Sequence, residues 1–277
     1  MRHLEFIRWG KSNGAIINQT KLVLYQEDSR GLHATINIKE SKAIIKIPLE
    51  MCISYEFILS TDLGKALTSL NVFTPSLRPF IYPLLYILEE QNNDSFYKPW
   101  LDVLPKKIDH PLFYSKEECN YLKTSNALAK IELDKKTLTI FYNEIKDKFS
   151  LFTTKHSLQD FFFIYYMLGS RFFANLYEGR ELPLLVPYAD MANCSNPEEA
   201  NASWDISENK EYFILRARID IPKNSPVLII HYHRSEYHTD IIQISVISHI
   251  MGLLLIRMSI MPLPFCYLMI LIYQMLN

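Results

Sequence analysis

Glycine is scarce in this chain. There are seven in 277 residues, and neither GxGxxG nor GxxxxGK[ST] occurs. The glycine-rich turns that cradle phosphates in Rossmann and P-loop proteins are thereby excluded, so a nucleotide-like cofactor needs another architecture. Cysteine is sparse too. Cys52, Cys119, Cys194 and Cys266 stand far apart with no CxxC pair. That spacing excludes a structural zinc knot and fits a reducing compartment, where thiols act as small apolar residues. Neither sign of charge is in excess: 29 Lys and Arg face 30 Asp and Glu. No basic field exists to hold a phosphate backbone, so no nucleic-acid partner is expected. The start, MRHLEFIRWGK, has no long apolar run and is not expected to act as a secretory signal. The expected location is cytoplasmic, with the nucleus as the alternative.

What the chain does have is apolar bulk: 49% of residues are hydrophobic and 13% aromatic. That supports one large domain or two small ones. Residues 20–60 read as strands. TKLVLYQ alternates, EDSRGLHA reads as a turn, and AIIKIPLEMCIS is a β-branched run stopped at Ile47-Pro48, since proline cannot donate to a ladder. From Thr61 to Phe173 the apolar spacing becomes three and four, in LRPFIYPLLYILEEQ, in the long run from Ser115 to Phe149, and in SLQDFFFIYYMLGSRFF. Ser115 and Glu118 form a capping-box signature. Asp134-Lys135-Lys136 reads as a solvated face. After Leu182 short strands return in LLVPYA, NASWDI, EYFILRARIDI and SPVLIIHY. Strands, helices, strands in that order predict an α+β domain whose sheet is completed by segments distant in sequence.

The apolar tail stands apart. From Met258 to Asn277 no side chain is charged. A bilayer crossing takes roughly 20 apolar residues, so 258–276 permits a membrane anchor. Pro262, Pro264 and the flanking Arg257 favour an irregular or interfacial segment instead. A buried C-terminal helix and a shifted reading frame are the other readings, and all remain open. His231, His233 and His238 invite a metal reading, since His231 and His233 are two apart and would share a strand face, but no fourth ligand is evident and Arg234 repels a cation, so no metal is expected.

LLVPYADMANCS, Leu184 to Ser195, sets Asp190, Asn193 and Ser195 into a stretch that otherwise favours burial. Buried polar groups need partners, which here means a tight turn network or a ligand with polar ends. With its neighbours, this stretch resembles a known family. DSRGLHATINIKESKAIIKIP resembles the N-terminal cofactor turn and following strand of SET-domain methyltransferases of the plastid Rubisco large-subunit lysine type, a group that includes the actin-histidine methyltransferase. KPWLDVLPKKIDHPLFYSKEECNYL resembles the start of that family's helical insert, P-Y-L-x-x-L-P then P-x-F/W-[ST]-x-E-E. LGSRFF resembles its S-R-x-F, LLVPYADMANCS its L-V-P-x-A-D-M-x-N-H-S, and VLIIHYHRS its last strand, Y-G-x-x-S-N. The matches fall in the same order along most of the first 240 residues.

The resemblance implies a SET-type α+β fold of short sheets. Its N-terminal part would span 1–60, its helical insert 61–173 and its C-terminal part 174–245, leaving 246–277 as an atypical tail. It implies S-adenosylmethionine as cofactor and a protein substrate. Asp28, Ser29 and Arg30 match the cofactor turn, where Gly31 lets the backbone come close. Asn193 and Cys194 match the Asn-His pair opposite. Arg171 matches an arginine that steadies the cofactor carboxylate or nearby substrate, Asp190 a residue on the substrate side, and Tyr232 the tyrosine whose hydroxyl sits beside the transferred methyl. Each has a plainer reading from the residues alone. Arg30-Gly31 reads as a hairpin turn, Arg171 as a helix cap, Asp190 as a group bonding local backbone and Tyr232 as a strand aromatic. Trp100, Trp204 and the FFFIYY run read as core.

This chain departs from the family pattern at Cys194, which replaces a histidine with a poor hydrogen-bond donor. It departs again after Tyr232, where His233 replaces a glycine and no Tyr-Gly-Phe comes after it. The expected activity is methyl transfer to a lysine, less favourably a histidine, of a non-histone protein. The alternative is a SET-like protein-binding module with impaired catalysis, tethered by its tail if that tail is an anchor. Oligomeric state is not indicated.

Overall fold

The computed structural model of the chain describes residues 2–26, 29–91, 93–122, 126–177 and 180–230. Asp28, His231, Tyr232, His233, His238 and the whole apolar tail lie outside them. The described residues all belong to one unit.

The chain opens with helix α1, Arg2–Ser12, where the sequence suggests no element. Its buried residues, Phe6 and Gly10, are four apart, while Arg2, Glu5 and Arg8 stay outside. So few apolar positions give a weak periodic signal; the helix is held by tertiary packing, with Phe6 against Tyr188 at 5.8 Å. Strands β1, Thr20–Gln26, and β2, Ser29–Ala34, form an antiparallel hairpin running to Gln26 opposite Ser29. This corrects the turn expected over EDSRGLHA. Leu32 and Ala34 are buried on either side of the half-buried His33, a two-residue period that makes SRGLHA a strand. Arg30 and Gly31 therefore do not form a hairpin turn.

Strand β3, Ala43–Pro48, ends at its proline as expected. It is an edge strand, where a missing donor is tolerated. Helices begin earlier than the spacing suggests, at α2, Tyr55–Ser60; α3, Asp62–Ser69, starts where the helical texture is expected. Their N-caps are Ser54 and Thr61, accepting from the Phe57 and Gly64 amides. Next come α4, Arg78–Gln91; α5, Lys98–Leu101; α6, Lys116–Asn120; α7, Asn126–Lys148; α8, Ser150–Lys155; and α9, Leu158–Gly169. The Ser115–Glu118 capping box is present, and Ser157 with Asp160 forms another before α9. The single long run expected from Ser115 is divided between α6 and α7. Asp134 is half-buried and accepts from the Tyr166 hydroxyl at 2.7 Å, so it is a tertiary contact rather than a solvated charge.

The run that reads as helical through Phe173 breaks at β4, Phe172–Tyr177, which pairs with β5, Arg180–Leu185. The remaining strands are β6, Asn193–Ser195; β7, Ala202–Ile206; β8, Tyr212–Ala217; and β9, Leu228–Ile230. Together with β3 they make a five-stranded sheet in the order β3-β8-β7-β9-β6. The pairing of Ile45 with Leu215 and Ile47 with Phe213 joins the two ends of the described chain around the helices, as the α+β reading predicts. Of the residues read as core, Trp100 is fully buried. Phe161, Phe162 and Ile164 are buried, Phe163, Tyr165 and Tyr166 half-buried, and Trp204 is half-buried against Phe173.

Candidate active site

The segment after β5 turns sharply. Tyr188 has φ 74°, a left-handed backbone that costs a bulky residue about 1–3 kcal/mol. Its surroundings fix it there: the ring is buried against Phe6, and its hydroxyl shares a hydrogen bond with Thr20 Oγ1 at 3.1 Å. The 3-10 turn Ala189–Met191 comes next and directs Asp190 into the protein, after which β6 carries Asn193 and Cys194 outward.

Asp190 is the buried centre of this site. Its side chain is 0% exposed and that of Arg171 is 14% exposed. Arg171 Nη1 donates to Asp190 Oδ2 and to the Asp190 carbonyl, both at 3.0 Å. Trp100 Nε1 donates to the same Oδ2 at 3.1 Å. Asp190 Oδ1 and Arg171 Nε are buried without a hydrogen-bond partner among the described residues. Burial pushes the Asp190 carboxyl above the usual range; the charge of Arg171, the hydrogen bonds from Trp100 and Arg171, and the charge of Arg30 oppose the shift without cancelling it. Breaking such a pair from one side costs about 3–5 kcal/mol, because the other charge is left buried.

Strand β2 lies beside β6 and the Ala189–Met191 turn. A Cβ added to Gly31 would fall 2.8 Å from Asn193 Nδ2 and 2.5 Å from the Tyr25 hydroxyl. Only glycine lets the β2 backbone and the Asn193 amide face each other with nothing between. Arg30 Nε donates to Met191 Sδ at 3.2 Å. Arg30, Gly31, Asp190, Asn193 and Arg171 are therefore brought together. Cys194 joins them: burial raises its thiol pKa and the Arg171 charge opposes that, although the residue as a whole is exposed. Ser29 is exposed at the start of β2. Asp28 and Tyr232 lie outside the described residues.

Sequence reasoning misses three residues here. Trp100 reads as plain core, and nothing local reveals that its N–H meets Asp190. Tyr25 and His33 carry no signal beyond strand periodicity. His33 Nδ1 lies 2.7 Å from the Asn224 carbonyl, which only accepts, so Nδ1 carries the proton. His33 Nε2 then accepts from the Tyr25 hydroxyl at 2.7 Å, fixing that hydroxyl over Gly31. Two open surface grooves of about 560 and 500 Å3 border neither Gly31 nor Asn193. Among the described residues, no cluster of His, Cys, Asp and Glu could hold a metal, and no helix is long and apolar enough to cross a membrane.

The sequence aligns with the Actin-histidine N-methyltransferase of Papio anubis at 26% identity over 124 residues, 45% of this chain and 21% of that protein. It aligns with the chloroplastic ribulose-1,5 bisphosphate carboxylase/oxygenase large subunit N-methyltransferase of Nicotiana tabacum at 25% identity over 195 residues, 68% of this chain and 38% of that protein. The structure superposes on the crystal structure of the SET domain of LSMT bound to lysine and AdoHcy with a TM-score of 0.71 and 22% identity, covering 83% of this chain and 53% of that one. This is a SET fold. The chain is related to SET-domain protein methyltransferases of the Rubisco large-subunit and actin-histidine types. No protein-family model matches it. The match spans 21% and 38% of the two curated relatives, well short of their full lengths. In this SET fold, β2 and β6 meet at Gly31 and Asn193.

Proposed function

We propose that this chain is an S-adenosylmethionine-dependent protein methyltransferase acting on a lysine, with histidine the second choice, of a non-histone protein. The carrying observation is the close approach of the Gly31 backbone, under the Tyr25 hydroxyl, to the Asn193 amide, with Arg30 and Arg171 bonded to the adjoining Ala189–Met191 turn. The residues present suit the cofactor. Gly31 provides a cradle that a Cβ would fill, and Asn193 offers an exposed amide. The buried Arg171 Nε is a donor with no partner among the described residues. The solved LSMT domain, which binds lysine and S-adenosylhomocysteine, supports the same pairing here.

S-adenosylmethionine supplies a methyl group already activated on a sulfonium. The chain's part is to bind, align and exclude water. Ser29, Arg30 and Gly31 would hold the cofactor through the β2 backbone, Asn193 and Cys194 from the opposite side. Arg171 would hold its carboxylate, with Asp190 towards the substrate. An attacking lysine must be neutral although its free pKa is about 10.4. Exclusion of water around the amine favours loss of that proton, because burial penalises the charged form. Tyr232, outside the described residues, is assigned by resemblance to guide the methyl.

Calorimetry on the full chain with S-adenosylhomocysteine tests the reading. Saturable binding that Asn193→Ala weakens is the expected outcome; no heat at millimolar ligand would overturn it. Cys194 favours a second reading, a protein-docking SET module with impaired catalysis, because a thiol cannot replace the hydrogen bond of the family's histidine. Absence of binding would leave that reading standing.

A further inference from the structure

We infer that Trp100 is a positioning residue for the methyl-transfer site, holding the cofactor-side strand in place through Asp190. The inference rests on the methyltransferase reading and extends it to the helical part of the chain. Trp100 is 0% exposed, on the short helix α5. A side chain so buried is normally explained by packing, yet its indole N–H reaches Asp190 Oδ2 at 3.1 Å. That oxygen also takes Arg171 Nη1 at 3.0 Å, while Oδ1 takes nothing among the described residues. One carboxylate oxygen thus receives a neutral donor from the helices and a charged donor from the residue just before β4.

The direction of Asp190 matters because of the residues just beyond it. Met191 receives Arg30 Nε, and Asn193 lies against Gly31. Asp190 is the middle residue of the short Ala189–Met191 turn, so a shift of that turn at Asp190 carries both contacts with it. Arg171 alone fixes Asp190 from one side. Trp100 supplies the second bond and adds no charge. Phenylalanine at 100 would keep most of the packing and remove only the donor. The charged groups facing Asp190 are Arg171 and Arg30, and the Cys194 thiol borders Arg171. Losing the indole bond removes one influence that keeps Asp190 ionised, so its carboxyl protonates at higher pH.

The test uses the full chain and S-adenosylhomocysteine, titrated calorimetrically from pH 5 to 8. Trp100→Phe should melt cooperatively and bind about tenfold more weakly at pH 7, the scale of one lost hydrogen bond to a charged group. Its affinity should fall away at higher pH than that of the wild type as the solution is acidified. A loss of packing alone would weaken binding evenly across pH. Wild-type affinity and pH profile in Trp100→Phe, or an even loss, overturns the inference alone. Failure of the wild type to bind overturns the methyltransferase reading and this inference with it. Should Trp100→Phe not fold, Asp190→Asn, which keeps an acceptor for the indole but loses the titratable charge, tests whether Asp190 carries the acid limb. That variant should lose the acid limb, and an unchanged acid limb would sink the proposal.

Discussion

Gly31 shows how much one missing atom can decide. It sits in a strand, not a left-handed turn, so alanine fits the backbone there and even lowers the entropy of the unfolded chain. The atoms its Cβ would meet, the Tyr25 hydroxyl and Asn193 Nδ2, are ends of side chains that can move. Gly31→Ala should therefore change unfolding free energy by less than about 1 kcal/mol. It should weaken S-adenosylhomocysteine binding markedly, because Asn193 is displaced. Urea denaturation with calorimetry on one preparation checks both; undiminished binding would remove Gly31 from the site. The residue scale is also where sequence reading reaches least far. Arg30, Gly31 and Asn193 are found by their motifs. Trp100, Tyr25 and His33 are not, because a hydrogen bond between distant segments leaves no periodicity in either.

Elements are more legible. Three- and four-residue spacing marks α4, α6, α7 and α9, and the Ser115–Glu118 box marks the start of α6. Proline marks the end of β3. The misses have a common cause. SRGLHA and FFANLY hold residues that suit turns or helices locally, and they become strands only by pairing with TKLVLYQ and RELPLL. Helix association has its own polar clamp. Glu89 on α4 accepts from Lys155 on α8 and bonds the buried His156 Nε2 at 2.7 Å, while Tyr142 on α7 donates to the His156 carbonyl at 2.6 Å. Burial acts to raise the Glu89 carboxyl, but the bonds to His156 and Lys155 and their charges prevail and hold it below its ordinary 4.5. A depressed folded pKa gives stability that is present above the unfolded value and lost as pH falls through the folded one. Glu89→Gln should therefore lower the melting temperature at pH 7, with the difference from wild type shrinking below about pH 4.5. A difference that stays constant down to pH 3 would mean the clamp contributes through packing alone.

At the scale of the molecule, the five-stranded sheet is the feature that makes one site from two strand-rich parts. Phe213 on β8 is buried, pairs with Ile47 on β3 and meets Phe173 at 4.9 Å between ring centroids. Phe213→Ala should cost about 3–5 kcal/mol. Since β3 and β8 join distant segments, the loss should appear in far-ultraviolet circular dichroism and in ligand binding at the same denaturant concentration. Separate transitions for the two would show that the parts fold independently. Pairings of such long sequence separation also predict slow folding, since loop closure precedes the contacts that reward it.

The sequence by itself determined the class of the fold, the strand-helix-strand order and the two short stretches that carry Arg30, Gly31 and Asn193. The class and the order arise from local propensity and residue spacing, which act over a few positions; the two stretches are found by their resemblance to the family. Only the tertiary structure decided that Asp190 is buried between Arg171 and Trp100, that Tyr25 lies over Gly31, and that one turn-like and one helix-like stretch are strands. Each of these depends on a partner far along the chain, and partners are chosen by packing and by the cost of leaving a buried polar group alone.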